Sequence, residues 1–140
     1  LTNVKCSNID GCNNLEQLIT NVENGFELFC SNIRSCKSMW LQILLNNNGK
    51  ESTNYIKSFI FNAEESGMDA IIQLNNKQSD DIIVIIDTIQ CLDIKSCQNT
   101  KFIIIGNVQI NKIICDSSSS CANCFVQHIS INNNIVIPCA

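Results

Sequence analysis

Thiols are the reactive groups this chain carries in quantity. Ten of its 140 residues are cysteine. Eight of them form four pairs, Cys6/Cys12, Cys30/Cys36, Cys91/Cys97 and Cys115/Cys121, each enclosing five residues. Cysteine can hold a metal, run redox chemistry or close disulfides, and spacing separates these uses. An even number at a regular spacing favours disulfides made in an oxidising, extracellular-type compartment. Cys124 and Cys139 remain. The economical reading pairs them as a staple at the C-terminal end; the alternative is a bond to a neighbouring subunit. Cys121-Ala122-Asn123-Cys124 has the CxxC form that suggests zinc or redox work in a cytosolic protein, but Cys121 already belongs with Cys115.

The other candidates for chemistry are sparse. His128 is the only histidine, which excludes metal sites with two or more His ligands and the HExxH class. Between Gln127 and Ile129 it reads as a surface residue on a strand. Glu64-Glu65 and Asp80-Asp81 fall in expected corners. Calcium needs several convergent oxygens, and neither the spaced Asp pattern nor a Gly-rich nonapeptide repeat is present. No GxGxxG, P-loop or GxSxG occurs. A polysaccharide lyase or hydrolase needs an Asp, Arg or Lys cluster on one face, and Arg34 is the only arginine. The chain is therefore read as a non-enzyme with no cofactor and no metal.

A net charge of −4, with only nine Lys and Arg, argues against nucleic acid and anionic membrane surfaces as partners. No stretch reaches 18 apolar residues, so no membrane insertion is expected. The chain starts at Leu1, which suggests a removed signal peptide or a processed fragment, and hence a secreted, extracellular protein. No Asn-x-Ser/Thr sequon is present, so N-linked glycan is not expected; Ser117-Ser118-Ser119-Ser120 is the candidate for O-linked sugar.

The elements that position the cysteines follow from an internal repeat. Cys6 to Cys30, Cys91 to Cys115 and Cys115 to Cys139 are each 24 positions. The longer gap from Cys30 to Cys91 holds a disguised member, with Asn62 and Met68 in the cysteine places. Turn starts thus fall near residues 6, 30, 62, 91, 115 and 139, with loop insertions at Asn46 to Asn54 and Asn75 to Asp81. An apolar, β-branched run leads into each first cysteine: Phe26 to Phe29, Phe59 to Phe61, Ile82 to Ile89, Ile110 to Ile114 and Ile135 to Ile137. A small residue precedes each second one: Gly11, Ser35, Gly67, Ser96 and Ser120. A second apolar run and an Asn- or Gly-containing corner follow, and the triplets Asn46-Asn47-Asn48 and Asn132-Asn133-Asn134 suit such turns.

A period near 24 residues with two or three short strands per turn is that of a parallel β-helix, in which stacked turns share one core. The expectation is a single all-β domain over residues 1–140: a disulfide-laddered, right-handed parallel β-helix of about five turns. The alternative is a small α+β disulfide-rich domain. Leu15, Leu18, Ile19 and Val22 have amphipathic helical spacing, and Asn54 to Leu74 can be read the same way.

The Cys-x5-Cys units and the apolar strands after them resemble cysteine-patterned β-helix repeats of secreted and surface proteins of protists and algae, some associated with extracellular appendages. The same five-residue gap is similar to that of insect β-helical antifreeze proteins. Those carry Thr ladders, whereas Ser7, Ser31, Ala63, Leu92 and Asp116 stand at the matching places here. The resemblance implies a structural or surface role. The expected function is a subunit of an extracellular filament, appendage or coat. Its partner would be itself, in a head-to-tail homopolymer through end strands containing Leu1, Val4, Val136, Ile137 and Pro138. Pro138 could equally protect its edge. The alternative is a glycan-binding, adhesin-like module, for which Trp40 and Tyr55 are the available polar-edged aromatics.

Overall fold

The computed structural model describes residues 1–46 and 52–140. The described residues form eleven strands and no helix. In chain order these are β1 (Asn3–Cys6), β2 (Glu16–Ile19), β3 (Phe26–Cys30), β4 (Trp40–Leu45), β5 (Tyr55–Phe61) and β6 (Ile71–Asn76). Then come β7 (Val84–Cys91), β8 (Lys101–Ile105), β9 (Val108–Cys115), β10 (Phe125–Ile129) and β11 (Asn134–Pro138). The odd strands up to β9 make one sheet, β1-β3-β5-β7-β9 (the odd sheet), and β11 joins the even strands in the other, β11-β10-β8-β6-β4-β2 (the even sheet). All neighbours are parallel except β10 and β11, which are antiparallel. Parallel neighbours need a crossover, and here the crossover out of each sheet is a strand of the other.

The registers explain why the strands form where they do. Phe26, Ile56, Ile86 and Ile110 make one inward row of the odd sheet, and Leu28, Phe59, Ile89 and Ile113 another. Leu41, Ile72, Phe102 and Val126 face them from the even sheet, with Ile43, Leu74 and Ile104 alongside. The middle members of each row are fully buried. Each such side chain contributes roughly 1.5–3 kcal/mol by leaving water. No single strand pair could shield its own apolar face; the rows do so only as a stack.

The chain passes from each odd strand to the next even strand through nine residues every time: 7–15, 31–39, 62–70, 92–100 and 116–124. Disulfides Cys6–Cys12, Cys30–Cys36, Cys91–Cys97 and Cys115–Cys121 tie four of these corners. Each corner bends through left-handed backbone at non-glycine residues, first at Asp10, Arg34, Glu65 and Lys95, then at Asn14, Ser38, Asp69, Asn99 and Asn123. That conformation costs L-residues about 1–2 kcal/mol apiece. Hydrogen bonds between successive corners offset it: the Cys12, Cys36, Gly67 and Cys97 amides donate to the Ser35, Ser66, Ser96 and Ser120 carbonyls at 2.7, 2.7, 2.7 and 2.8 Å. Those serines are fully buried. Each hydroxyl accepts from the amide three residues earlier, at 3.0 to 3.4 Å.

Three expectations need correction. The disguised repeat is one residue earlier than Asn62 and Met68: Phe61 pairs with Cys30 on one side and Cys91 on the other. Phe61 and Gly67 therefore take the cysteine places, and the buried ring fills the room of the missing disulfide. Cys139 does not open a sixth turn. β11 turns back against β10, and the Cys139 amide donates to the Cys124 carbonyl at 3.0 Å. Cys139 thus continues the row Leu15, Met39, Ala70, Thr100, Cys124, not the row of Cys115. The helical readings also fail. Residues 16–19 form β2, and β5 and β6 occupy most of 54–74, because stacking against flanking strands overrides a local i, i+3, i+4 spacing. The expected insertion at Asn46 to Asn54 and the first Asn triplet lie partly in residues 47–51, outside the described residues.

Candidate assembly surface

The residues singled out for assembly fall at the two ends of the stacked sheets. Val4 lies on β1, the first strand of the odd sheet, whose outer edge has no partner among the described residues. Leu1 precedes it, with its carbonyl accepting from the Glu23 amide at 3.0 Å and its ammonium 3.8 Å from the Glu23 carboxylate. β2 begins the even sheet at the same level, so both sheets start together at this end.

The opposite end is stepped. The even sheet has six strands and the odd sheet five, because β11 adds one beyond β10. β11 pairs Ile137 with Val126 and Ile135 with His128, so Ile135 and Ile137 lie on the side that Val126 buries. No strand of the odd sheet extends far enough to cover them, and they are 52% and 50% exposed. On the facing sheet, Ile110 and Ile113 of β9 are half-buried where their row-mates Ile86 and Ile89 are fully buried. Val136 points to the other face and is exposed.

Backbone polarity follows the same geometry. Asp116 donates back to Cys91 across the β7–β9 ladder, so alternation turns the main-chain groups of Ile113 and Cys115 to the open side. Cys139 donates inward to Cys124, which turns Val136 and Pro138 outward. Pro138 has no N–H, so it removes one donor from that edge. The Cys124–Cys139 disulfide clamps the base of β11 to β10.

The remaining candidates are dispersed. In the CxxC, Cys121 is bonded to Cys115 and Cys124 to Cys139. His128 is not a plain surface residue: it is half-buried, follows Ile104 in an inward row, and places Nε2 3.0 Å from the Gly106 carbonyl. Glu65 pairs with Lys37 at 3.5 Å, while Glu64, Asp80 and Asp81 are exposed. No group of three or more metal-ligating side chains occurs among the described residues. Ser120 is fully buried, so only the earlier serines of that run are open to modification. Trp40 lies on the even sheet beside Glu16, Gln17, Leu18 and Gln42, lining a shallow hollow of about 190 Å³. Tyr55 lies on the odd sheet, so the two aromatics form no common platform.

The first left-handed positions of successive corners read Asp10, Arg34, Glu65, Lys95, a column of alternating charge. Arg34 Nε donates to Asp10 Oδ1 at 2.9 Å. That hydrogen bond, with the guanidinium charge, holds the Asp10 carboxyl below its ordinary 3.8; the same bond, with the carboxylate charge, pushes Arg34 up.

Two parts of this surface were missed in the sequence: the open edge of β9 and the inward side of Ile135. Their apolar, β-branched runs mark them as strand, but the neighbour order that exposes them is not written locally. The five disulfides indicate an oxidising, extracellular-type environment. No helix is long and apolar enough to cross a membrane among the described residues. The chain matches no family model, no curated protein and no solved structure.

Proposed function

We propose that this chain is a secreted structural protein, a disulfide-laddered right-handed parallel β-helix that associates through its ends to build a filament, appendage or coat. The observation that carries this reading is the pair of unfinished ends. Both sheets are stacks of parallel strands apart from the antiparallel β10–β11 pair, and among the described residues the odd sheet terminates at β1 and at β9 with unpaired main-chain groups. An unpaired edge is a template for another strand unless it is blocked. Ile110, Ile113, Ile135 and Ile137 add an open apolar core beside one such edge. Covalent corner ties suit a building block that must keep its shape outside the cell. Its role on this reading is mechanical, with no catalysis and no cofactor.

Negative-stain electron microscopy of the oxidised protein, paired with sizing in solution, tests it. Five or six strand levels at 4.7–4.9 Å predict an axial rise of about 24–29 Å per chain along any ordered fibre. End-to-end particles of that spacing support the reading. A monomer at millimolar concentration refutes it.

A second reading is favoured by one observation, the exposed Trp40 in a hollow ringed by Glu16, Gln17 and Gln42. An indole face bordered by amides suits a sugar ring. Trp40→Ala should then abolish retention on a polysaccharide column while leaving assembly intact; a wild-type protein that is not retained removes this reading.

A further inference from the structure

The stepped end specifies what can seat on it. We infer that two copies join C-terminal end to C-terminal end about a two-fold axis, with β11 of each lying beside β9 of the other. This deepens the assembly reading proposed above and rests on it.

The step follows from strand counts. At the C-terminal end the even sheet stands one strand taller than the odd sheet, six against five. A strand laid beside β9 would complete the odd sheet and cover the inward sides of Ile135 and Ile137. The N-terminal end of another copy does not fit, because there both sheets start together at β1 and β2. Laid on the step, it reaches β11 first and leaves β9 without a neighbour. A second stepped end does fit. Rotation by a half-turn about an axis parallel to the strands brings the taller even sheet of the partner above the shorter odd sheet of the first copy. Both columns then contain eleven strands, six from one chain and five from the other.

Direction and side chains agree with this rotation. β9 runs toward its corner cysteine, Cys115, and β11 runs toward the same side, ending at Cys139, whose carbonyl lies 3.9 Å from Cys115 Sγ. A half-turn about the strand direction preserves that sense, so β9 and the partner's strand would pair in parallel, like the rest of the stack. Ile110 and Ile113 would continue inward rows with the exposed isoleucines of the facing β11. The outward main-chain groups of Ile113 and Cys115 would meet those around Val136, with one hydrogen bond forfeited at Pro138. The interface is isologous, so this end alone closes at a dimer. Fibre growth would then need the N-terminal ends to meet as well, giving a non-polar filament whose repeat holds two chains, about 53 Å for eleven strand levels.

The test uses the oxidised 140-residue chain. A photo-crosslinking residue replaces Lys112, which is exposed on β9, and isotope-mixed protein reports crosslinks between chains. Expected is a concentration-dependent dimer whose crosslinks land in residues 134–138 of the other copy. Ile137→Lys, exposed in the single chain and buried in the pair, should weaken the dimer by about tenfold or more, since it desolvates a charge. Pro138→Ala should tighten it. Circular dichroism and the disulfide count of each variant should equal wild type, which separates lost pairing from lost folding. Crosslinks landing in residues 1–19 overturn the two-fold pairing and leave end-to-end assembly standing as head-to-tail. A monomer at every concentration overturns both.

Discussion

Replacing Gly67 with alanine should be among the most damaging single-methyl additions this fold can receive. Gly67 has ordinary backbone geometry, so the left-handed region is not the issue. Its hydrogen is required by the ring of Phe61, which stands where the other corners hold a disulfide. A Cβ on Gly67 would sit 2.3 Å from Phe61 Cδ1, 2.6 Å from Cε1 and 2.9 Å from the Ser96 carbonyl oxygen. The ring cannot swing away, because it is fully buried and packs at 6.0 Å against Phe102. Overpacking of this kind costs about 1–3 kcal/mol, and two blocked directions put Gly67→Ala at the upper end, about 2–3 kcal/mol. At roughly 3–4 °C per kcal/mol for a chain of this size, Tm should fall by about 6–12 °C. The complementary change is Phe61→Cys with Gly67→Cys. Those positions are six apart and in register with Cys30/Cys36 and Cys91/Cys97, so the two thiols should oxidise to a sixth bond. The bond restores about 2 kcal/mol against the loss of most of a buried ring, about 3 kcal/mol. The double variant should therefore stay within about 1–2 kcal/mol of wild type and exceed Gly67→Ala. Guanidinium unfolding under non-oxidising, non-reducing conditions gives both stabilities, and intact mass gives the thiol count. Gly67→Ala within 0.5 kcal/mol of wild type (a threshold of the order expected for a surface change), together with two free thiols in the double variant, would refute the equivalence of ring and disulfide.

Other expectations follow from single contacts. Gly106 combines φ +89° with an added Cβ only 2.6 Å from the Asn76 carbonyl, whereas Gly25 has φ +85° in open space; Gly106→Ala should cost at least about 1 kcal/mol more than Gly25→Ala by chemical unfolding, as strain and clash add. Cys124→Ser with Cys139→Ser opens a 15-residue loop and should cost about 3 kcal/mol, with hydrogen exchange accelerating first in residues 134–138. The Asp10 carboxyl titrates below its ordinary value because Arg34 donates to it, so its contribution is present above pH 4 and lost as pH falls through the folded value. Asp10→Asn should match wild type in acid, where the carboxyl is protonated anyway, and lose only a small amount of stability near pH 7, as suits an exposed pair, so its acid limb below about pH 4 is flatter.

The sequence revealed the corners better than the ends. Cys-x5-Cys fixed the corner ties because a bond closing so short a loop has few alternative partners, and alternation in Trp40 to Leu45 agrees with the side chains that turn inward; in Ile110 to Ile114 the alternation breaks, since Ile110 and Ile113, three apart, both turn inward. The 24-residue spacing misplaced Cys139, since a count of positions does not say on which row of a stack a residue lands; the antiparallel turn at Ser130 to Asn133 moved it to the row of Cys124. The one-residue error at Asn62 arose because Phe and Gly substitute for a disulfide by volume, not by chemical likeness. β1 and β2 were not read as strands, being four residues each and half polar, held by their neighbours more than by their own composition. The left-handed bends at Arg34, Glu65 and Lys95 carry no residue signature, as those side chains are not ones that favour the conformation.

The constancy of the nine-residue corners has an evolutionary and practical reading. Connections on the other flank vary freely: six residues at 20–25, seven at 77–83, two at 106–107 and four at 130–133. One flank therefore behaves as a ruler and the other as a display rail. Length changes on the rail leave the register of every row untouched, whereas adding or deleting a residue on the ruler would shift the strand that follows and turn its side chains to the wrong face. Foreign peptides grafted between Asn76 and Val84 would be presented in a fixed order along the stack, spaced by the strand ladder itself.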